Sequence, residues 1–241
     1  MSFLDYDHLD AFDDEAFRAT QPYPWANPEG LLTDEGYRLL YNSLPDVSLF
    51  TEFFGVKRSH GQYPHDRLTL DYHKDLDIPP AWHAFIAELR GPEYNRFIRR
   101  NLGHGSFRLN FHWHYTPDGC SVSPHCDAKR KLGSHIFYFN TESDWDSSWG
   151  GETLILDDHG RFKYKSAPQF ENFDHIIRAE AMGNRSVLFA RRERSWHGVE
   201  EIHCPQGRYR KVFIVVINDW LRSMFRRGLG ILKGERAEAY Y

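Results

Sequence analysis

From Phe107 onward, apolar and polar positions alternate along the chain. FRLNFHWHY, residues 107–115, sets Phe107, Leu109, Phe111, Trp113 and Tyr115 against Arg108, Asn110, His112 and His114, the period of two expected of a strand with one apolar face. SHIFYFN, ETLILDD, RFKYK, NRSVLFARR and RYRKVFIVVIND read in the same way, separated by Pro117-Asp118-Gly119, Gly150-Gly151 and His159-Gly160. Strands this short and this closely spaced predict a sandwich, jelly roll or barrel over residues 106–220.

Upstream the period is helical. Tyr37, Leu40, Tyr41 and Leu44 follow the start signal Thr33-Asp34-Glu35 and stop at Pro45, which predicts a helix over 34–44. Trp82, Phe85, Ile86 and Leu89 share one face behind Pro79-Pro80, and EYNRFIRRNLG continues after Gly91-Pro92 to a glycine stop at Gly103. Residues 1–105 thus read as a helical support region packed on one sheet. Pro22, Pro24 and Pro28 around Trp25 suggest an irregular arm over the first thirty residues, and a short strand is expected at 67–70. The strand-rich stretch forms the core of one domain, and residues 221–241 form a basic C-terminal extension with Arg222, Arg226, Arg227, Lys233 and Arg236.

Composition narrows the partners. A chain of 241 residues that is 41% hydrophobic can build one sizeable core. Its net charge of −4 offers no general field for nucleic acid or an anionic membrane, so neither partner is expected. Cys120, Cys126 and Cys204 lack CxxC spacing, which argues against a disulfide framework and a structural zinc site and fits a reducing compartment. MSFLDYDHLD has no basic segment followed by an apolar one, and no run of about eighteen apolar residues occurs anywhere, so a cytoplasmic protein is expected.

Three residues carry the candidate chemistry. His125 and Asp127 stand two apart in SPHCDAK, so on an extended segment both point to one side while Cys126 points away. His197, in SWHGVEE, supplies a second imidazole. Two histidines and one carboxylate form the facial set that holds Fe(II) and leaves the opposite positions open. Gly150-Gly151 reads as a bulge or a close backbone approach rather than a phosphate cradle, because no helix start follows it. Trp149 and Trp196 are expected to wall the pocket.

In order, Tyr115, HCD at 125–127, FYFN at 137–140, WGGETLIL at 149–156, NRSVLF at 184–189, WHGV at 196–199 and GRYRKVF at 207–213 resemble the 2-oxoglutarate/Fe(II)-dependent dioxygenases, most of all their prolyl 4-hydroxylase-like branch. The resemblance covers roughly the C-terminal half. It implies a double-stranded β-helix, a cupin-like jelly roll, with His125, Asp127 and His197 as iron ligands and Fe(II), 2-oxoglutarate and O₂ as cofactor and cosubstrates. Arg208 is implied as the partner of the distal 2-oxoglutarate carboxylate. Arg210 competes for that role, because both positions face the same side of a strand. Tyr138 resembles the tyrosine that assists on the same carboxylate, and Tyr115 one nearer the iron.

The implied activity is hydroxylation of an unactivated C–H through an Fe(IV)-oxo species, with release of succinate and CO₂. The related halogenases have a small residue where Asp127 stands, so its presence here favours hydroxylation, desaturation or ring closure. The expected substrate is an amino acid, a peptide or another small metabolite, and the alternative is a protein acted on by a prolyl-type hydroxylase. A cupin-like isomerase or lyase, or a non-enzymatic metal sensor, would have no need for Arg208 with Tyr138.

Overall fold

The computed structural model describes residues 1–58, 61–103 and 105–220, and the basic extension expected over 221–241 lies outside them. Five helices precede the main strands: α1 (Tyr6–Ala11), α2 (Asp14–Ala19), α3 (Asp34–Asn42), α4 (Pro80–Leu89) and α5 (Pro92–Leu102). Among them run three short strands, β1 (Trp25–Ala26), β2 (Thr51–Phe53) and β3 (Arg67–Asp71). The second half holds β4 (Phe107–Thr116), β5 (Val122–His125), β6 (Lys131–Tyr138), β7 (Thr153–Asp157), β8 (His175–Ala179), β9 (Ser186–Ala190), β10 (Trp196–Val199) and β11 (Arg210–Asp219). They form two antiparallel sheets, β1-β9-β6-β11-β4-β3-β2 and β5-β10-β7-β8. This is the double-stranded β-helix expected from the strand-rich half.

Strand register decides which side chains face which layer. Across β4, β11 and β6, Ile214 pairs with His112 on one side and Ile136 on the other, while Phe213 pairs with Trp113 and Phe137. Paired residues point the same way. The odd-numbered set therefore meets the helices: Trp82, Phe85, Ile86, Tyr94 and Phe97 pack with Phe111, Trp113, Phe137 and Phe213 in the largest apolar cluster. Trp82 lies at its centre, with ring centroids 5.1 Å from each of Trp113, Phe139 and Phe213. The even-numbered set is left to face the smaller sheet, and that is where the cavity forms.

Several local expectations change. Aspartates cap two helices in the arm expected to be irregular: Asp5 accepts from His8 N–H, and Asp13 from Glu15 and Ala16 N–H. Trp25 then pairs with Phe189, which extends the large sheet by one strand, and Tyr23 donates to Trp196 O at 2.7 Å. RFKYK is a turn-rich loop rather than a strand. It places Tyr164 beside Arg191, and Arg161 donates to Asp158 O, so its polar side chains are used locally instead of in a ladder. All three cysteines are free and buried. No helix among the described residues is long and apolar enough to cross a membrane.

Candidate active site

Strand pairing brings the two histidines together. His125 ends β5 directly opposite His197 of β10, with ring centroids 4.3 Å apart. Asp127 follows two residues beyond the strand end, and one ligand atom from each of the three lies within 4.8 Å of the others. His125 Nδ1 lies 3.0 Å from Ser123 O, and His197 Nδ1 lies 3.0 Å from Ser195 O. A carbonyl only accepts, so each Nδ1 carries the proton and each Nε2 keeps its lone pair.

Charge in this group is divided cleanly. Burial lowers both imidazole pKa values, and for His125 the neighbouring His197 and Arg58 lower it further, so both rings are neutral. Burial would raise Asp127, but the charge and the hydrogen bond of Lys131 outweigh it and hold the carboxyl well below the ordinary range. Lys131 Nζ is 2.6 Å from Asp127 Oδ1, and Ser134 donates to Oδ2 at 3.2 Å. Two neutral imidazoles and an ionised carboxylate, each oriented by a further hydrogen bond, are the donor set that a divalent iron requires, so these residues fit the metal.

Burial distinguishes the two arginines. Arg208 is exposed, in the turn before β11, whereas Arg210 is the first residue of the strand, 5% exposed and in the cavity wall. The strand begins two residues later than the resemblance suggested, so Arg208 never joins the ladder. Arg210 Nε donates to Gly151 O, and Nη2 donates to Thr153 Oγ1 at 3.2 Å. Its guanidinium lies 5.5 Å from the ring centre of Tyr138, whose hydroxyl donates to the same Thr153 Oγ1 at 2.7 Å.

Gly151 explains the glycine pair. With φ of +101° it holds a backbone that L side chains rarely adopt, and a Cβ there would stand 3.3 Å from Arg210 Cδ. Tyr115 does not approach the histidines. It is an odd-numbered residue of β4, stacked on Phe50 at 4.2 Å, and its hydroxyl donates to Pro45 O on the helical side. Trp196 also turns away from the cavity, into the cluster with Phe173 and Leu156, and Trp149 packs on Trp145 outside it.

A cavity of about 230 Å³ lies between the sheets, with the three converging residues and Arg210 in its wall. His112 and His114 line it too, stacked at 4.5 Å, so the even face of β4 is the one that counts. Burial holds His112 down to about 3. Arg58, Gln62, His65, Arg67 and Lys131 also line the cavity and were not expected. The first three come from a Gly- and His-rich stretch with no period to reveal its direction. Lys131 had a signal, standing four residues after Asp127, and Arg67 had another, opening an otherwise apolar strand.

Residues 110–221 match the family described as the 2OG-Fe(II) oxygenase superfamily. This core is a 2OG-Fe(II) oxygenase domain. The oxygenase also resembles solved structures along most of its length. Against a Pseudomonas putida prolyl-4-hydroxylase the TM-score is 0.58 at 15% identity, covering 88% of this chain and 96% of that one. Against a Trichoplax adhaerens prolyl hydroxylase, solved with a peptide fragment of a hypoxia-inducible factor, it is 0.61 at 12% identity, covering 91% and 93%. The 2-oxoglutarate-dependent carbocyclase SnoK of nogalamycin biosynthesis gives 0.59 at 13% identity, covering 88% and 86%. At these identities the likeness is one of fold. No curated protein matches the chain.

Proposed function

We propose that His125, Asp127 and His197 hold the iron of this oxygenase, that Arg210 receives the distal carboxylate of 2-oxoglutarate, and that the enzyme hydroxylates an unactivated C–H of an amino acid, peptide or other small metabolite. The observation that carries this reading is the convergence of two bare imidazole nitrogens and one carboxylate on a cavity whose wall also holds a buried guanidinium. Bound ferrous iron supplies the oxygen chemistry, in which decarboxylation of 2-oxoglutarate to succinate is coupled to oxidation of the substrate.

The chain's own residues do the positioning. Ser123 O and Ser195 O fix the imidazole tautomers, and Lys131 and Ser134 fix the carboxylate. Ile136, Phe189, Ile214 and Val216 give the cavity apolar walls that exclude water from the reacting groups. Arg210 offers a planar fork suited to a carboxylate and stays charged at any working pH. Tyr138 and Thr153 hold that fork from behind.

A cavity of about 230 Å³ falls below the roughly 300–1,000 Å³ common for drug-sized ligands, which favours a small substrate or a single side chain entering it. A peptide is the second reading, supported by Phe54, Val56 and Tyr63, which stand exposed on the segment that carries Arg58 and Gln62. The test is a screen of amino acids, peptides and small metabolites for stimulated succinate release, with mass detection of one added oxygen or two lost hydrogens. Alanine at His125, Asp127 or His197 should reduce that release to background. Succinate release by an iron-loaded His197→Ala variant at the wild-type rate would contradict the assignment. Failure of 2-oxoglutarate to perturb the Fe(II) protein would instead favour a cupin-like isomerase, lyase or sensor.

A further inference from the structure

Strand β3 covers only part of β4. Their register ends with Asp71 opposite His112, and one further bond follows, from Tyr72 N–H to Phe111 O at 2.9 Å. The chain then turns off into a loop at His73 and Lys74. Hydrogen-bonding groups alternate sides along a strand, so those of Leu109 and Phe107 face the same way as those of Phe111. On that side neither residue makes a backbone hydrogen bond among the described residues, whereas β11 pairs with the other side of β4 as far as Phe107. The first part of β4 is therefore an open sheet edge.

A groove of about 580 Å³ follows this edge, lined by residues 107–111 and 72–74 together with Arg90 and Asn95. Lys74, Arg90 and Arg108 are its cations, and no carboxylate is among the described lining residues. None of the three is ion-paired among the described residues. Asp75, beside Lys74 in sequence, lies outside the lining. Arg90 is held in place: its guanidinium lies 5.4 Å from the ring centre of Tyr72 and 5.1 Å from that of Phe111, and Asn95 donates to Arg90 O at 2.8 Å.

We propose that this edge is a docking site for an extended acidic segment of a partner protein, which adds a strand to β4 at Leu109 and Phe107 and sets its carboxylates against Lys74, Arg90 and Arg108. Main-chain bonds to an open edge supply affinity, and the side chains beside it supply choice. A second copy of this chain would bring the same three cations to the edge, so like charges exclude self-pairing while an acidic strand is admitted. Nucleic acid would meet the cations but has no use for the alternating N–H and C=O groups of the strand. The groove ends at Phe111 and the cavity lining on β4 begins at His112, so the docking site stands apart from the iron ligands and does not depend on their assignment.

The experiment titrates the full chain with two capped eight-residue peptides, one alternating Glu and Thr and the other Gln and Thr, followed by backbone amide shifts. The Glu peptide should bind about tenfold more tightly, the measure of a few exposed ion pairs acting together. Hydrogen exchange at the Leu109 amide should slow in the complex, because that donor then joins a ladder. Lys74→Gln and Arg108→Gln should each weaken the preference, and the double variant should abolish it. Arg38→Gln, exposed on α3, should leave it as in the wild type. A urea midpoint for each variant controls for folding. Equal binding of the two peptides, binding of neither, a preference that survives the double variant, or unchanged exchange at Leu109 overturns the proposal. So does an eight-residue oligothymidylate that binds more tightly than the Glu peptide, which would make the groove a nucleic-acid site.

Discussion

Replacing Arg210 and Arg208 in turn tests the role proposed for Arg210, a buried cation, against an exposed one two residues away. Arg210 is 5% exposed and already held by Gly151 O and Thr153 Oγ1, so its guanidinium reaches a carboxylate with little further ordering. Arg210→Gln removes the charge from a desolvated pair, a loss of about 2–5 kcal/mol. That raises the dissociation constant of 2-oxoglutarate about thirtyfold to several thousandfold. Arg210→Lys keeps a charge without the fork and should fall between. Arg208→Gln alters an exposed side chain and should stay within about twofold of wild type.

The assay is anaerobic titration of the Fe(II) enzyme with 2-oxoglutarate, followed by its visible charge-transfer band. A urea midpoint for each variant controls for the lost bond to Gly151. A large loss of affinity in Arg208→Gln beside a near-normal Arg210→Gln would refute the reasoning, because it would mean that burial does not mark the binding residue.

Two further predictions concern the scaffold. His135 is fully buried between Tyr94 Oη and Ser186 Oγ, and burial lowers its pKa from 6.5 to about 3. The unfolded chain therefore binds the extra proton between those values, so stability is complete above about pH 6.5 and falls as pH drops toward 3. Near pH 5.5 the loss from this one group is about 1.4 kcal/mol. Urea unfolding of wild type and His135→Gln near pH 7.5 and pH 5.5 should show a pH-dependent drop smaller by that amount in the variant, and equal drops would exclude the linkage. At the centre of the helix-facing cluster, Trp82→Ala should cost about 3–5 kcal/mol, read as a lower unfolding midpoint, because Trp113, Phe139 and Phe213 cannot close the space.

Much of the architecture is written locally. Alternation in FRLNFHWHY and RYRKVFIVVIND marks two strands, and the proline and glycine stops around 79–103 mark two helices, because backbone periodicity acts over a few residues. The His125-Cys126-Asp127 spacing needed only an extended segment to put two donors on one side. The short helices in the arm escaped notice because their amphipathic faces are barely two turns long and their aspartate caps resemble ordinary acidic residues.

What tertiary structure decided is everything that depends on what lies opposite. The pairing of β5 with β10 sets His197 against His125 across 72 residues of chain. The start of β11 at residue 210 puts Arg210 in the wall and leaves Arg208 in water, although both belong to one short stretch of alternating residues. Tyr115 went to the helices and His114 to the cavity because the register of β4 against β11 and β3 assigned them opposite faces. Arg58, Gln62 and His65 line the cavity through packing between distant segments, which no local period carries.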